Sequence, residues 1–556
     1  MTWSNIFIIW TGLTGVFLVG LLGILIHDVI LWKRMPPGPQ PLPFIGNKLD
    51  VPSKYPWVQF QEWSRKYGPI YTLWFGRRPT VVISDPVVAV DLLEKRSHKY
   101  SSRPRFVAMG EIFWDMSSIL VQPYGKDWSV RRKAMHSALT PKALQHYKPV
   151  QEAEASRLCH QLLEGPGDFD TLLNRFTASI VFTIAYGHRI DSLQSPIVRQ
   201  RMKIMHWSAA LNVPGRYLVE SFPILKRIPD VLAPWKRQIK AWGSEEAQAN
   251  ARLLDYVRED IENAKLPGAP PVPNSLAKQL LENRAADPEA FALLRERDFA
   301  SLPASVFGAG ADTTASSLCS AILAITTNPE TLIAAHAELD AVIGPDLLPS
   351  YTDETSLPYI RALCKETLRW RPVAVLGGTP HASTQADNYR GYYIPKGTNI
   401  LGNSWAINRN EVYYPDPDHF NPLRFLDVAP ASLGYLPSEY LESSASGKGP
   451  LTHPSKLGHS SFGWGRRICP GADLASNNLF IALARVLWCF DIRPVKDVVY
   501  DTYDYTDGFN IRPNPFKCEI TVRSPRHEEV LKAEFADAQA YLERNFPLFK
   551  EHEIVV

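Results

Sequence analysis

The sequence predicts a mainly α-helical body with small β-sheets, preceded by a single N-terminal transmembrane helix. Three observations predict it. The chain opens on an uncharged apolar run, a proline-rich break follows directly, and the remainder shows helical hydrophobic periodicity with only short β-branched or aromatic segments between. Of the 556 residues 45% are hydrophobic and 21% charged, an ordinary globular composition that excludes general disorder. The formal net charge of +3 is small for this length, so no whole-protein field calls for nucleic acid, and no nucleic-acid partner is expected.

Taken in order, Ile6 to Ile26 comprises 21 residues without a charge. As a helix rising 1.5 Å per residue such a run reaches roughly 30 Å, the thickness of a hydrocarbon core. Lys33 and Arg34 follow the run, whereas a cleaved signal peptide carries its cations before a shorter apolar stretch. This order predicts an uncleaved anchor over residues 1–35 with the C-terminal body cytosolic. The stretch 36-PPGPQPLPFIGN-47 has five prolines in eight residues, a stiff connection that cannot be helix and is expected to space the body from the membrane. In 70-IYTLWFGRRPTVVIS-84 two apolar segments flank Gly76 to Pro79, the pattern of a hairpin. Strands are expected again only in 392–400, 488–494 and 516–522. The stretch 266–275 and the Gly/Ser/Pro-rich region between Phe425 and Phe462 read as surface loops. Leu531, Phe535, Ala538 and Leu542 fall at helical spacing, which predicts an amphipathic helix over 527–545 docked on the body. The division expected is therefore an anchor (1–35), a main body (36–525) and a helical tail (526–556).

Six cysteines are scattered without a CxxC pair, which argues against zinc or a redox dithiol and for a reducing compartment. Cys469 stands in 461-SFGWGRRICPGADLA-475. A lone thiol there could be a disulfide partner, a zinc ligand, a core residue, a nucleophile or an axial ligand to a haem iron, and each predicts different company.

That company is present. Phe462-x-x-Gly465-x-Arg467-x-Cys469-x-Gly471 matches the cysteine-loop motif of the cytochrome P-450 haem-thiolate enzymes at all five positions. Glu366-x-x-Arg369, Phe420-x-Pro422-x-Arg424-Phe425 and 309-AGADTT-314 also resemble motifs of that family, in a consistent order. The resemblance covers Pro36 to about Arg523. The anchor and proline hinge resemble eukaryotic microsomal members, and RWRP and GYYIPKGT are fungal in style.

The resemblance implies the cytochrome P-450 fold, with 36–525 as the haem-thiolate domain and Cys469 as the thiolate ligand to the iron of haem b. A metal-facing thiolate must be kept deprotonated, which glycine N–H groups and a following helix N-terminus favour, and its electron donation favours O–O cleavage. Gly465 and Gly471 are expected to let backbone pass close to a flat ring. Phe462 belongs to the same cofactor loop. The haem carboxylates are expected on Trp128 and Arg132, one helical turn apart, and on Arg467. His381, in 379-TPHAS-383, stands where many family members carry arginine, and its contact would be weaker and pH-sensitive. Glu366 and Arg369, three apart on one helical face, with Arg424 resemble the family's structural triad. The small residues of AGADTT leave room for dioxygen, Thr313 can turn its hydroxyl inward, and Asp312 can supply protons. Pro303 is expected to kink or restart this helix. A nucleotide loop is the weaker reading of GAGADT, which lacks a third glycine and a preceding strand. Phe113, Trp114, Met116, Phe307, Val375 and Leu376 are expected to wall an apolar substrate site, with 221–237 as its membrane-facing entrance.

The function expected is a monooxygenase of the endoplasmic reticulum membrane, single-pass, that inserts one atom of O2 into a lipophilic small molecule. The fungal style points to secondary-metabolite biosynthesis. With no flavin or nicotinamide domain visible, electrons are expected from NADPH through a separate reductase. The other readings are a haem-thiolate isomerase or dehydratase working without a reductase, a membrane-tethered haem sensor, and a fatty acid or xenobiotic hydroxylase.

Overall fold

The computed structural model describes residues 3–212, 216–429, 432–443 and 448–549. Part of the glycine- and serine-rich stretch before Phe462 therefore lies outside the described residues.

Helix α1 (Trp3–Arg34) is continuous, and its segment Trp10–Arg34, of mean hydropathy 2.2, is long and apolar enough to cross a membrane. Thr11 and Thr14 do not break this apolar surface, because each hydroxyl donates to the carbonyl one turn earlier, at 3.0 and 2.8 Å. The end of α1 is not free of the body. Met35 is buried with Leu31 and Trp32 against Trp74, Ile394 and Ile400, and Asp28 receives a two-pronged ion pair from Arg77 at 2.7 and 2.9 Å. The proline stretch continues this attachment. Thr72 donates its N–H to Pro37 (2.9 Å), and buried Asn47 accepts from the Trp74 N–H (2.9 Å) while reaching back to the carbonyls of Pro39 and Gln40. A Cβ at Gly38 would stand 2.0 Å from the Thr72 carbonyl, so only glycine permits this approach. The expected spacer is thus a clasp laid along the first strand.

After α2 (Pro56–Tyr67), β1 (Ile70–Phe75) and β2 (Arg78–Ile83) form the expected hairpin, with Ile70 opposite Ile83 and Phe75 opposite Arg78. The turn is Gly76-Arg77, with Gly76 at φ +62°, where glycine is favoured. The helical body comprises α3 (Lys126–His136), α4 (Lys148–Glu164), α5 (Phe169–Tyr186), α6 (Pro196–Leu211), α7 (Pro234–Asn263), α8 (Leu276–Ala286), α9 (Glu296–Thr327), α10 (Pro329–Val342) and α11 (Pro358–Trp370). The expected strand 392–400 is two strands in different sheets. β3 (His381–Ala382) and β6 (Asn399–Gly402) extend the first sheet in the order β1-β2-β6-β3, whereas β4 (Asp387–Tyr389) and β5 (Tyr392–Ile394) form their own hairpin. Helix α12 (Ala472–Cys489) claims Trp488 and Cys489, so β7 (Phe490–Pro494) starts later than expected and pairs with β8 (Cys518–Val522).

The main core is packed between α4, α5, α9, α11 and α12. Helix α13 (Pro525–Asn545) docks as its spacing predicts, burying Val530, Leu531 and Leu542 in that same core. The residues after it fold back. Arg189 donates its N–H to the Pro547 carbonyl at 3.0 Å and accepts the Phe549 N–H at 3.1 Å, and the Phe549 ring sits 5.2 Å from that of Phe182. The 32-residue helix α9 runs unbroken through Pro303, so the expected restart does not occur. Its close approach to α5 is set by Gly310, where a Cβ would stand 2.5 Å from Val181.

Candidate active site

Cys469 sits between a short helical turn (Gly465–Arg467) and the start of α12. Its N–H donates to the Phe462 carbonyl at 2.8 Å, which closes the loop. The chain is forced close to its neighbour at Gly465 (φ +56°), but that neighbour is protein: a Cβ there would meet the Leu93 carbonyl at 2.1 Å. Gly471 is different, since a Cβ on it would touch nothing. The Cys469 side chain is exposed although protein surrounds it. A side chain both accessible and enclosed lies on the wall of an internal cleft. Burial pushes its thiol up, while the Gly471 N–H and the Arg132 guanidinium pull it down. A thiolate here needs a further cation, which a bound metal supplies.

Around that cleft gather Arg103, Arg132, His381 and Arg467. Arg467 donates to the carbonyls of Ser101 (2.8 Å) and Gln122 (2.6 Å), and its guanidinium lies 4.5 Å from the Trp128 ring centroid. Arg103 donates to the carbonyls of Thr379 (2.6 Å) and Pro380 (3.0 Å). Desolvation, with mutual repulsion adding to it at Arg467, depresses Arg467 to about 8; desolvation alone takes Arg103 to about 9. Among the described residues none of the three arginines pairs with a carboxylate, so the cluster lacks the anion that would stabilise it. Two carboxylates of a haem, with its iron facing Cys469, fit this donor set. Sequence reasoning missed Arg103; its only signal was a basic residue just before the 106–121 loop.

His381 is buried, and its Nδ1 lies 2.8 Å from the Tyr100 carbonyl. Burial first, then Arg103 and Arg467, push its pKa down to about 3. With the Nδ1 proton given to that carbonyl, Nε2 can donate to a carboxylate only in the imidazolium form, which burial and the two arginines disfavour. Trp128 and Arg132 share one face of α3 with Ser129, Lys133 and His136, lining an open depression. Arg131 does not form a solvated edge with Lys133; it is buried and paired to Asp298 of α9 at 3.0 Å.

The structure brings the three triad residues together. Arg369 grips Glu366 through Nε (2.6 Å) and Nη2 (2.8 Å), both wholly buried, and Arg424 stands 3.4 Å from the same carboxylate. Arg424 itself is anchored on the carbonyls of Pro415 and Asp416. The triad reaches the cysteine loop through Asn408, which had no signal in the sequence. The Asn408 carbonyl accepts from Arg369 (2.9 Å), and its side-chain oxygen accepts from Ser460 N–H (3.0 Å) and hydroxyl (2.8 Å), nine residues before Cys469.

On the opposite side, α9 presents Ala309 to Thr313, which are accessible although they lie mid-helix. The Thr313 hydroxyl donates to the Ala309 carbonyl at 2.8 Å, tucked against its own helix. Asp312 is turned away toward Arg512, at 3.7 Å, and burial raises its pKa against the pull of that arginine. Three of the expected wall residues are core instead. Phe113 is fully buried with its carbonyl taken by Arg297, Phe307 packs edge-on against Phe182 at 5.1 Å, and Val375 packs with Trp57 and Trp405. Trp114, Met116 and Leu376 keep accessible surface. Within 221–237, Phe222, Ile224, Val231 and Leu232 are exposed, as an entrance facing an apolar phase requires.

A family model described as cytochrome P-450 matches residues 36–520. Cytochrome P-450 monooxygenase 58 of Postia placenta is 36% identical over 529 residues, covering 92% of this chain and 91% of that protein. A cytochrome P-450 monooxygenase of Armillaria gallica is 35% identical over 528 residues, 94% of each chain. Cytochrome P-450 monooxygenase verL of Clonostachys rogersoniana is 33% identical over 521 residues, 91% of this chain and 90% of that one.

Proposed function

Because the chain belongs to the cytochrome P-450 family of monooxygenases, we propose that it is a membrane-anchored member inserting one atom of O2 into a lipophilic small molecule in fungal secondary metabolism. The observation that carries this reading is an exposed cysteine on an internal wall, facing a cluster of arginines that has no acidic partner among the described residues. A bound haem would supply the redox-active iron for oxygen activation. The chain's residues do the rest. Cys469 would ligate the iron and donate charge; Arg103, Arg132, Arg467 and Trp128 would hold the carboxylates; Phe462 closes the loop; and Glu366, Arg369 and Arg424, through Asn408, keep the loop in place. Asp312 takes a proton from the solvent side beside Arg512 and passes it toward Thr313, whose hydroxyl rotates from Ala309 to orient it. Helix α1 holds the protein in the endoplasmic reticulum membrane with the body cytosolic, and NADPH supplies electrons through a separate cytochrome reductase.

The test is spectroscopic and then kinetic. The reduced, carbon monoxide-bound protein should show the red-shifted Soret band of thiolate ligation, and Cys469→His should remove it. Steady NADPH oxidation should require both added reductase and substrate. An unshifted band in well-folded protein would overturn the ligand assignment, and product formation without reductase would overturn the monooxygenase reading.

A further inference from the structure

One charged cluster beside the cleft takes no part in holding haem or moving protons. Arg201 lies where α6 meets α7 and α9. Its Nη2 donates to the Ala304 carbonyl of α9 at 2.6 Å, and its Nη1 to Asn250 of α7 at 3.3 Å. The guanidinium is seated on Gly308, where a Cβ would stand 2.4 Å from Nη2 and 3.0 Å from Nε. Glycine makes the seat.

The charges there do not balance. Among the described residues Glu246 is the one carboxylate that acts on Arg201, and it also serves Arg297 at 3.6 Å. Among the described residues neither arginine has another acidic partner, so two guanidinium groups share one carboxylate. Four polar atoms are buried without a hydrogen bond: Arg201 Nε, Arg297 Nε, Glu246 Oε2 and, from the adjoining helix α5, Tyr186 Oη. Ordered water could satisfy such atoms but would not neutralise a surplus buried cation, which is strongly unfavourable alone. Arg201 keeps accessible surface although burial lowers its pKa, the same combination seen at Cys469. The accessible stretch of α9 that carries Thr313 begins at its seat, Gly308.

We propose that Arg201 anchors a carboxylate of the substrate, which makes the substrate a lipophilic acid; this rests on the haem-thiolate reading above. Nη1 and Nη2 each donate one proton inside the protein and keep a second for a carboxylate, while Nε is closed off beside Gly308. Gly308 and Thr313 are five residues apart, roughly 7.5 Å along the helix axis. The oxidised carbon is therefore several bonds from the acid, and the reaction is remote from the charged end.

Imidazole-terminated straight-chain alkanoates, and the alkanols of equal length, test this in the full-length holoenzyme. The imidazole meets the iron and shifts the Soret band whether or not Arg201 contributes. At one chain length the acid should bind at least about 10-fold tighter than the alcohol, a difference of about 1.4 kcal/mol. Arg201→Gln should bring the ratio near one while leaving the alcohol and the carbon monoxide spectrum unchanged. Gly308→Ala, which unseats the guanidinium, should lower the ratio too, and it carries the comparison if Arg201→Gln fails to hold haem. Acids no tighter than alcohols at every length, or a preference that survives these variants, overturns the proposal alone. Alcohols that also leave the Soret band unmoved overturn it together with the haem reading beneath it.

Discussion

At the scale of single residues, Thr313 gives the sharpest expectation. Thr313→Ala removes one small side chain and no ligand, so the carbon monoxide spectrum should persist while product per NADPH falls and hydrogen peroxide is released. Assistance of this kind is typically worth about 10²–10⁴ in rate, and Asp312→Asn measured alongside should show the same loss of coupling. Unchanged coupling in both would place proton delivery elsewhere. Arg369→Ala should strand a fully buried carboxylate, costing about 3–5 kcal/mol, read as a lower urea midpoint and poor haem retention. A third expectation concerns pH. His453 and His459 precede the cysteine loop, and burial holds them at about 4 and about 3, below the ordinary value of 6.5. Below pH 6.5 the unfolded chain binds protons that the folded protein refuses, so stability should fall from there toward pH 3. The slope is up to about 1.4 kcal/mol per pH unit for each histidine, and His459→Gln should flatten it in urea melts. As candidates, the cysteine, the triad, Arg132 and Arg467 were legible in sequence, because chemical type and spacing mark them. Asn408, Arg103 and the tautomer of His381 were not, because backbone carbonyls contributed by distant segments determine them.

At the scale of elements, periodicity found the hairpin, the tail helix and the apolar N-terminal helix, and missed where elements compete. Trp488 and Cys489 read as strand by their β-branched and aromatic company, yet packing on the core extends α12 through them. Pro303 left a helix intact because α9 is held by packing along its length, which outweighs one missing hydrogen bond. The attachment of α1 separates two truncations. Deleting residues 1–26 keeps Asp28, Leu31, Trp32 and Met35, and should release much of the protein from membranes with haem binding intact. Deleting residues 1–35 exposes Trp74, Ile394 and Ile400, and should lower the thermal midpoint measurably beyond the shorter deletion. Equal midpoints would mean that the packing of Met35 contributes nothing.

At the scale of the whole molecule, the family match ends at residue 520 but the core does not. Truncation after Arg523 would uncover the seats of Leu531, Leu542 and Phe549. Losing a buried leucine costs about 2–5 kcal/mol, so a chain stopped there should aggregate or lose haem on mild heating. The two ends of the chain thus belong to the body in different ways: the C-terminus completes its interior, and the N-terminus governs its posture. A soft tether would let the catalytic body roll over a bilayer surface, sampling many headings. The clasp of Pro37, Gly38 and Asn47, with Asp28 paired to Arg77, ties the end of the helix to the body. If α1 stands upright in a bilayer, the body is cantilevered from it like a rudder from its post. Every copy then presents one flank to the lipid and one to the cytosol, and an electron donor diffusing in the same plane meets it already aligned.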